Sequence, residues 1–203
     1  MCSLREEIYI IEMPLINEDF VVNVEDELSV NEFLIPHGFE LSAVGVLNVP
    51  QNFPNSKRRF IDGENFDRVL VDYVAVCGKE DDYKNTVGKV YAIVFDGKIV
   101  KIGQTSNTLK DRFVSYACGT REYRKRGTCS VTNYHLMESA YAVLKSGGKV
   151  EVYSYTIPMI TKNINVFGKK KKVMCKVAHE YENTLLGLYE TQVGRYPVLS
   201  SNG

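Results

Sequence analysis

Between Val90 and Gly103 the chain reads VYAIVFDGKIVKIG, two runs of β-branched and aromatic residues around Asp96-Gly97. An Asp-Gly pair between such runs predicts a β-hairpin. The period then changes. In TSNTLKDRFVSYACG, residues 105–119, Leu109, Phe113 and Tyr116 share one stripe at helical spacing, Ser106 or Asn107 stands where a cap belongs, and Gly119 follows the end. A second helix is predicted over Asn133–Leu144, halted by Ser146-Gly147-Gly148; Val150–Ile157 alternates as a strand, and a last helix runs from about Ala178 to Val193. Thr161–Lys176, with lysines at 169 to 172, predicts a mobile loop or a hairpin. Upstream signals are thinner: strand-like runs at Ile8–Ile11 and Phe39–Leu47, a Pro- and Asn-rich loop at Val49–Ser56, an apolar run at Val69–Cys77, and a polar connection over residues 78–86.

The hairpin register decides which side chains share a face. A two-residue Asp96-Gly97 turn pairs Phe95 with Lys98 and leaves Tyr91 opposite Ile102, facing away from Lys101. A three-residue loop, Phe95-Asp96-Gly97, pairs Val94 with Lys98 and sets Tyr91 across from Lys101. The second register sorts the faces better: Val90, Ala92, Val94, Val100 and Ile102 on one, Tyr91, Ile93, Ile99 and Lys101 on the other. Because a one-residue slip exchanges faces, the three-residue loop is the expected register.

Net charge over the 203 residues is zero, but it is divided. Residues 1–87 carry 7 Lys/Arg against 17 Asp/Glu, and residues 88–203 carry 18 against 8. A basic half of that size suits a polyanion, although two halves packed on each other would also neutralise. The start, MCSLREEIYIIEMP, has acids where a signal peptide has basic residues, and no apolar run reaches the roughly 20 residues of a membrane span. The five cysteines form no C-x-x-C pair, which argues against a zinc ribbon or disulfide framework and for a reduced, cytoplasmic protein.

Lys89-Val90-Tyr91 and Lys101-Ile102-Gly103 stand ten residues apart, tyrosine to lysine, and the following helix holds Arg112 in an N-x-x-x-x-R run. In these triads, that spacing and that arginine, the chain resembles the GIY-YIG nucleases, most clearly over residues 88–117. Two departures stand out: the first Gly is displaced to Gly88, and Lys101 replaces the usual Tyr, as in a minority of restriction enzymes of this fold. The resemblance implies an α+β fold, a small antiparallel sheet flanked by helices, with residues 1–85 as an N-terminal accessory region and 86–203 as the nuclease domain.

It implies an activity as well: metal-dependent hydrolysis of phosphodiester bonds in double-stranded DNA, of restriction or phage type. That chemistry needs a base, a cation against the growing negative charge, and a metal on the phosphate. Tyr91 is the expected base or relay, Lys101 its charge partner or proton acceptor, and Arg112 the fixed cation. Tyr116, four residues after Arg112, takes the place where related restriction enzymes carry a Tyr or His facing the scissile phosphate; a plain core tyrosine is the other reading. The family's metal ligand is a Glu on the last helix. Of Glu180, Glu182 and Glu190, Glu182 falls mid-stripe among Ala178, Leu186, Tyr189 and Val193, while Glu180 points about 160° away. A carboxylate there needs a partner or a metal, so Glu182 is the expected ligand of Mg2+ or Mn2+. The family's closing Asn near a Pro corresponds loosely to Pro197 and Asn202. Gly103, Thr105 and Lys110, with the basic run Arg121, Arg124 and Lys125 and the lysines at 169–172, form the expected nucleic-acid surface. One active site facing two strands implies a homodimer or sequential nicking. The alternative is a non-catalytic nucleic-acid-binding protein on the same scaffold, its chemistry lost through Lys101.

Overall fold

A computed structural model of the chain describes residues 21–47, 70–117, 121–158, 160–174 and 177–200. The expected strand at Ile8–Ile11 and loop at Val49–Ser56 lie outside them. The N-terminal part opens with a helical turn at Val30–Leu34, closed at its start by a capping box in which Ser29 and Glu32 bond reciprocally. Strands β1 (Glu40–Leu47) and β2 (Val71–Ala75) follow, then a short helix α1 (Glu80–Asn85) inside the stretch expected as plain connection. Next come β3 (Val87–Phe95), β4 (Lys98–Thr108), α2 (Leu109–Ala117), α3 (Arg121–Lys125), α4 (Val131–Lys145), β5 (Val150–Thr156), β6 (Thr161–Val166), β7 (Lys169–Met174) and α5 (Ala178–Val193).

Five of these strands form one antiparallel sheet in the order β2-β1-β5-β3-β4, the α+β architecture with helices on both faces. β1 pairs with β5, so the sheet continues across residue 85. On one face Tyr91, Ile93, Phe95 and Val100 pack under α1, α2 and α4 through Tyr83, Phe113, Tyr116, Leu136 and Tyr141. On the other, Val90, Ala92, Val94, Ile99 and Ile102 meet Phe33, Leu34 and, from α5, Ala178, Leu185 and Tyr189. β6 and β7 form a separate two-stranded sheet.

The hairpin corrects the expected register. Asp96 (φ 48°) and Gly97 (φ 82°) are both left-handed, and Phe95 pairs with Lys98: the two-residue turn whose twist matches its strands. Val94 then pairs with Ile99 but Ile93 with Lys101, so Val100 is an extra residue, a β-bulge. The bulge restores what the turn alone would have broken. Tyr91 and Lys101 still share a face, now diagonally, with Tyr91 opposite Gly103. The apolar face therefore holds Ile99 and not Val100.

Two helix starts also differ from expectation. β4 runs on to Thr108, whose hydroxyl accepts the Asp111 N–H at 3.1 Å, so Thr108 and neither Ser106 nor Asn107 caps α2. Ser130 caps α4 by accepting from Asn133 N, which starts that helix two residues earlier than predicted.

Candidate active site

The site is assembled where α2 packs on β3 and β4, while α5, which carries Glu182, packs on the opposite face of the same two strands. Tyr91, fully buried, points from β3 toward α2, and helical spacing sends Arg112 and Tyr116 back toward it. The Arg112 Nε–H donates to the Tyr91 oxygen at 2.8 Å and Nη2 donates to the Tyr116 oxygen at 2.9 Å. The two hydroxyls are 2.6 Å apart and share a further bond, and the guanidinium also lies 4.5 Å from the Tyr116 ring centroid. Arg112 is thus committed to two phenols and held rigidly at the edge of the core. Burial raises the pKa of Tyr91 well above the ordinary tyrosine value, with Tyr116 adding to the rise and Arg112 opposing it. Tyr116 is raised for the same first reason.

Gly103 lies directly beneath Tyr91. A Cβ there would stand 2.6 Å from the phenol Cζ and oxygen, so the ring can occupy this place only over a glycine. This makes the Gly103 requirement one of packing in the described structure.

Lys101 is 5% exposed, and its Nζ donates to the Leu199 carbonyl at 2.9 Å. Burial first, then Arg112, lower its pKa to about 8, against a smaller opposite pull from Glu182. Leu199 and Ser200 belong to the stretch after α5, which lies along the open edge of β4. Leu199 N bonds the Val100 carbonyl at 2.8 Å and the Ser200 hydroxyl accepts from Ile102 N at 2.8 Å, so the bulge and its neighbour find partners there. Sequence reasoning missed both residues, because nothing local marks a tail that docks 98 positions away. Asn202 lies outside the described residues.

Glu182 sits one turn into α5 with its side chain 21% exposed, while Glu180 and Glu190 are exposed. Burial raises its pKa; His179, Lys101 and Arg112 oppose the rise, in that order. His179 Nδ1, which the sequence did not single out, is 3.7 Å from the carboxylate. No group of three or more His, Cys, Asp or Glu gathers into a cage for a metal among the described residues. A single half-buried carboxylate would offer a hard divalent ion one oxygen ligand, while the nearby positive charge of Lys101 and Arg112 favours an anionic phosphate rather than the ion itself.

The remaining candidates are dispersed. Thr105 is buried, its hydroxyl accepting from Asn107 N at 3.0 Å where β4 carries a second irregularity. Lys110 is exposed at the head of α2 and lines a cleft with Tyr73 and Phe113. Arg124 and Lys125 are exposed on the short helix α3, which the backbone of Arg121 begins.

Two solved structures share this fold. Against the restriction endonuclease HPY188I in complex with product DNA, the chain is 26% identical with a TM-score of 0.56, over 95% of this chain and 99% of that one. Against bacteriophage T4 EndoII, solved as a mutant, it is 18% identical with a TM-score of 0.50, over 80% of this chain and 96% of that one. No protein-family model and no curated protein sequence matches it. The fold is that of these nucleases: an antiparallel sheet between helices, matched nearly end to end in the first case.

Proposed function

We propose that the protein is a DNA endonuclease of restriction or phage type, related to the GIY-YIG nucleases, which hydrolyses phosphodiester bonds in double-stranded DNA with a divalent metal. The observation that carries this reading is the cluster of Arg112 bonded to both Tyr91 and Tyr116, with Lys101 and Glu182 within electrostatic reach, on a fold shared with a restriction endonuclease.

Each residue has work suited to its surroundings. Arg112, always charged, faces the negative charge that grows on the phosphate as water attacks. A new P–O bond forms as the bond to the leaving oxygen breaks, and the water must lose a proton. Tyr91 holds its phenol oxygen fixed at the site, but its raised pKa keeps it protonated near neutral pH. Lys101, on the same sheet face and with a pKa near 8, is the group able to take up that proton. Glu182 would hold Mg2+ or Mn2+, which when bound polarises the phosphate. The pKa of Lys101 also argues against reading it as the mark of a lost site, because burial tunes it to the range where a base is useful.

Supercoiled plasmid incubated with the protein and Mg2+ tests the reading. Nicked and linear products are expected, and EDTA should suppress them. Glu182→Gln should lower cleavage by at least about 100-fold, the equivalent of roughly 3 kcal/mol of charge stabilisation. Its DNA affinity should stay within a few-fold. If Glu182→Gln cuts normally and Glu180→Gln or Glu190→Gln does not, the ligand is misassigned; if the wild type never cuts, the endonuclease reading fails.

A further inference from the structure

The ribbon β6–β7 is absorbed neither by the core nor by the candidate active site. It forms its own two-stranded sheet, pairing Asn163 with Lys172, Ile164 with Lys171, Asn165 with Lys170 and Val166 with Lys169. Because side chains alternate, Asn163, Asn165, Lys170 and Lys172, all exposed, share one face, at whose base Thr161 pairs with Met174. At the tip stands Phe167, with φ +49° and complete exposure (101%), followed by Gly168 at φ +81°. That turn wants Asn, Asp or Gly at both central positions. A bulky residue in the left-handed region is strained, and here its ring gains no burial to offset the strain. A residue that breaks a local rule without compensation inside the fold points to a role outside it.

We propose that β6–β7 is a reading arm that enters the major groove of duplex DNA. It sets Asn163 and Asn165 against base edges, Lys170 and Lys172 against phosphates, and Phe167 against the bases at its tip. The inference rests on the endonuclease reading above and deepens it. A B-form major groove, about 12 Å wide, admits a two-stranded ribbon, and strands of six residues reach roughly 20 Å. Asparagine can bond an adenine edge at two points, lysine meets phosphate, and an aromatic tip suits base faces or thymine methyls. An isolated two-stranded ribbon is marginal in water, so a partner that orders it fits its construction. Only residues 175–177 separate β7 from α5, which carries Glu182; the arm is therefore tethered next to the candidate metal ligand. An anionic membrane would match the lysines and the Phe167 tip, but it gives the Asn163–Asn165 face nothing to read.

Three variants and a modified DNA test the arm, using the full chain, with thermal melts to confirm folding. Ends produced by the wild type are sequenced first to define its preferred sites. Asn163→Ala with Asn165→Ala should reduce preference for those sites roughly tenfold or more, spreading the ends over sequences the wild type leaves uncut. Lys170→Glu with Lys172→Glu should weaken binding to all sequences alike, about tenfold or more, and flatten the salt dependence. Phe167→Asn, which suits the turn, should hold or raise the melting temperature while lowering DNA affinity; a merely structural Phe167 would not give that split. DNA made with 7-deazapurines, lacking the N7 acceptor of the major groove, should be bound less tightly by the wild type, with the difference lost in the asparagine variant. The arm is overturned if the wild type cuts without sequence preference, or if all three variants match its ends and affinity. It is equally overturned if Phe167→Asn abolishes binding to phosphatidylserine vesicles and leaves DNA binding intact. A wild type that neither binds nor cuts DNA instead defeats the underlying endonuclease reading.

Discussion

Lys101 joins stability and chemistry in one side chain. Its pKa of about 8 lies below the value near 10.5 that it regains on unfolding. Below pH 8 the lysine is charged in both states and the fold bears the full desolvation cost. Between about 8 and 10.5 the native state sheds a proton that the unfolded state keeps, so stability rises with pH in that window. A shift of this size corresponds to on the order of 3 kcal/mol, and losing the bond to the Leu199 carbonyl offsets about 1. Lys101→Met should therefore be more stable than wild type by about 2 kcal/mol at pH 7, and the gap should narrow toward pH 10. Urea melts at pH 7 and 9.5 measure it. The same variant should lose cleavage, while wild-type cleavage climbs as pH passes through about 8. A wild-type profile flat from pH 7 to 9 removes Lys101 as proton acceptor. At Gly103, the 2.6 Å approach of the Tyr91 phenol leaves no room for a methyl group. Gly103→Ala should cost about 1–3 kcal/mol and displace Tyr91 from Arg112, with cleavage falling further than stability explains. An active, fully stable Gly103→Ala would show that the position of Tyr91 is not critical.

Among the elements, β4 carries the decisive irregularity. Asp96-Gly97 enforces a two-residue turn, and the faces of the sheet demand a different phase; the bulge at Val100 reconciles them. A bulge on an edge strand leaves backbone groups without ladder partners, and the segment after α5 supplies these through Leu199 and Ser200. The Ser200 hydroxyl is buried and accepts the Ile102 N–H. Ser200→Ala strands that donor, so denaturant unfolding should show a loss of about 1–3 kcal/mol. A loss well under 0.5 kcal/mol would mean that the tail is not a working part of the sheet edge.

For the whole molecule, the acidic and basic halves of the sequence do not separate into independent bodies: β1 lies beside β5 in one sheet. Further ties run between them. Glu27, buried, accepts from Tyr189 and pairs with Arg195, joining the N-terminal segment to the end of α5. Lys89, also buried, bonds both Asp82 oxygens and the Thr156 hydroxyl at 2.7 Å each. Internal pairs like these absorb part of the charge asymmetry. The exposed Arg124 and Lys125 of α3 remain on the surface expected to meet a polyanion. Affinity for duplex DNA should fall with salt at a log–log slope of about −0.9 per phosphate contact, and charge reversal at Arg124 and Lys125 should flatten it. An affinity indifferent to salt would exclude a phosphate-tracking surface.

The sequence by itself determined the local elements and singled out the residues of the candidate site. The hairpin, α2, β5 and α5 were legible because their apolar periods are set by neighbours within a few residues; the phase of α5 also set Glu182 nearer the core than Glu180 or Glu190, although the buried stripe runs through Leu185 rather than Leu186 and leaves Glu182 half-buried at its side. What only the tertiary structure decided were the long-range relations. The bulge at Val100 was hidden because turn chemistry and face sorting, read separately, gave opposite registers, and an extra residue that satisfies both leaves no composition signal. The pairing of β1 with β5, the docking of Leu199 and Ser200 on β4, and the raised and lowered pKa values of Tyr91 and Lys101 all depend on chain segments far apart in sequence. Desolvation in particular is a property of the assembled core: a lysine in a strand reads the same on the page whether water reaches it or not.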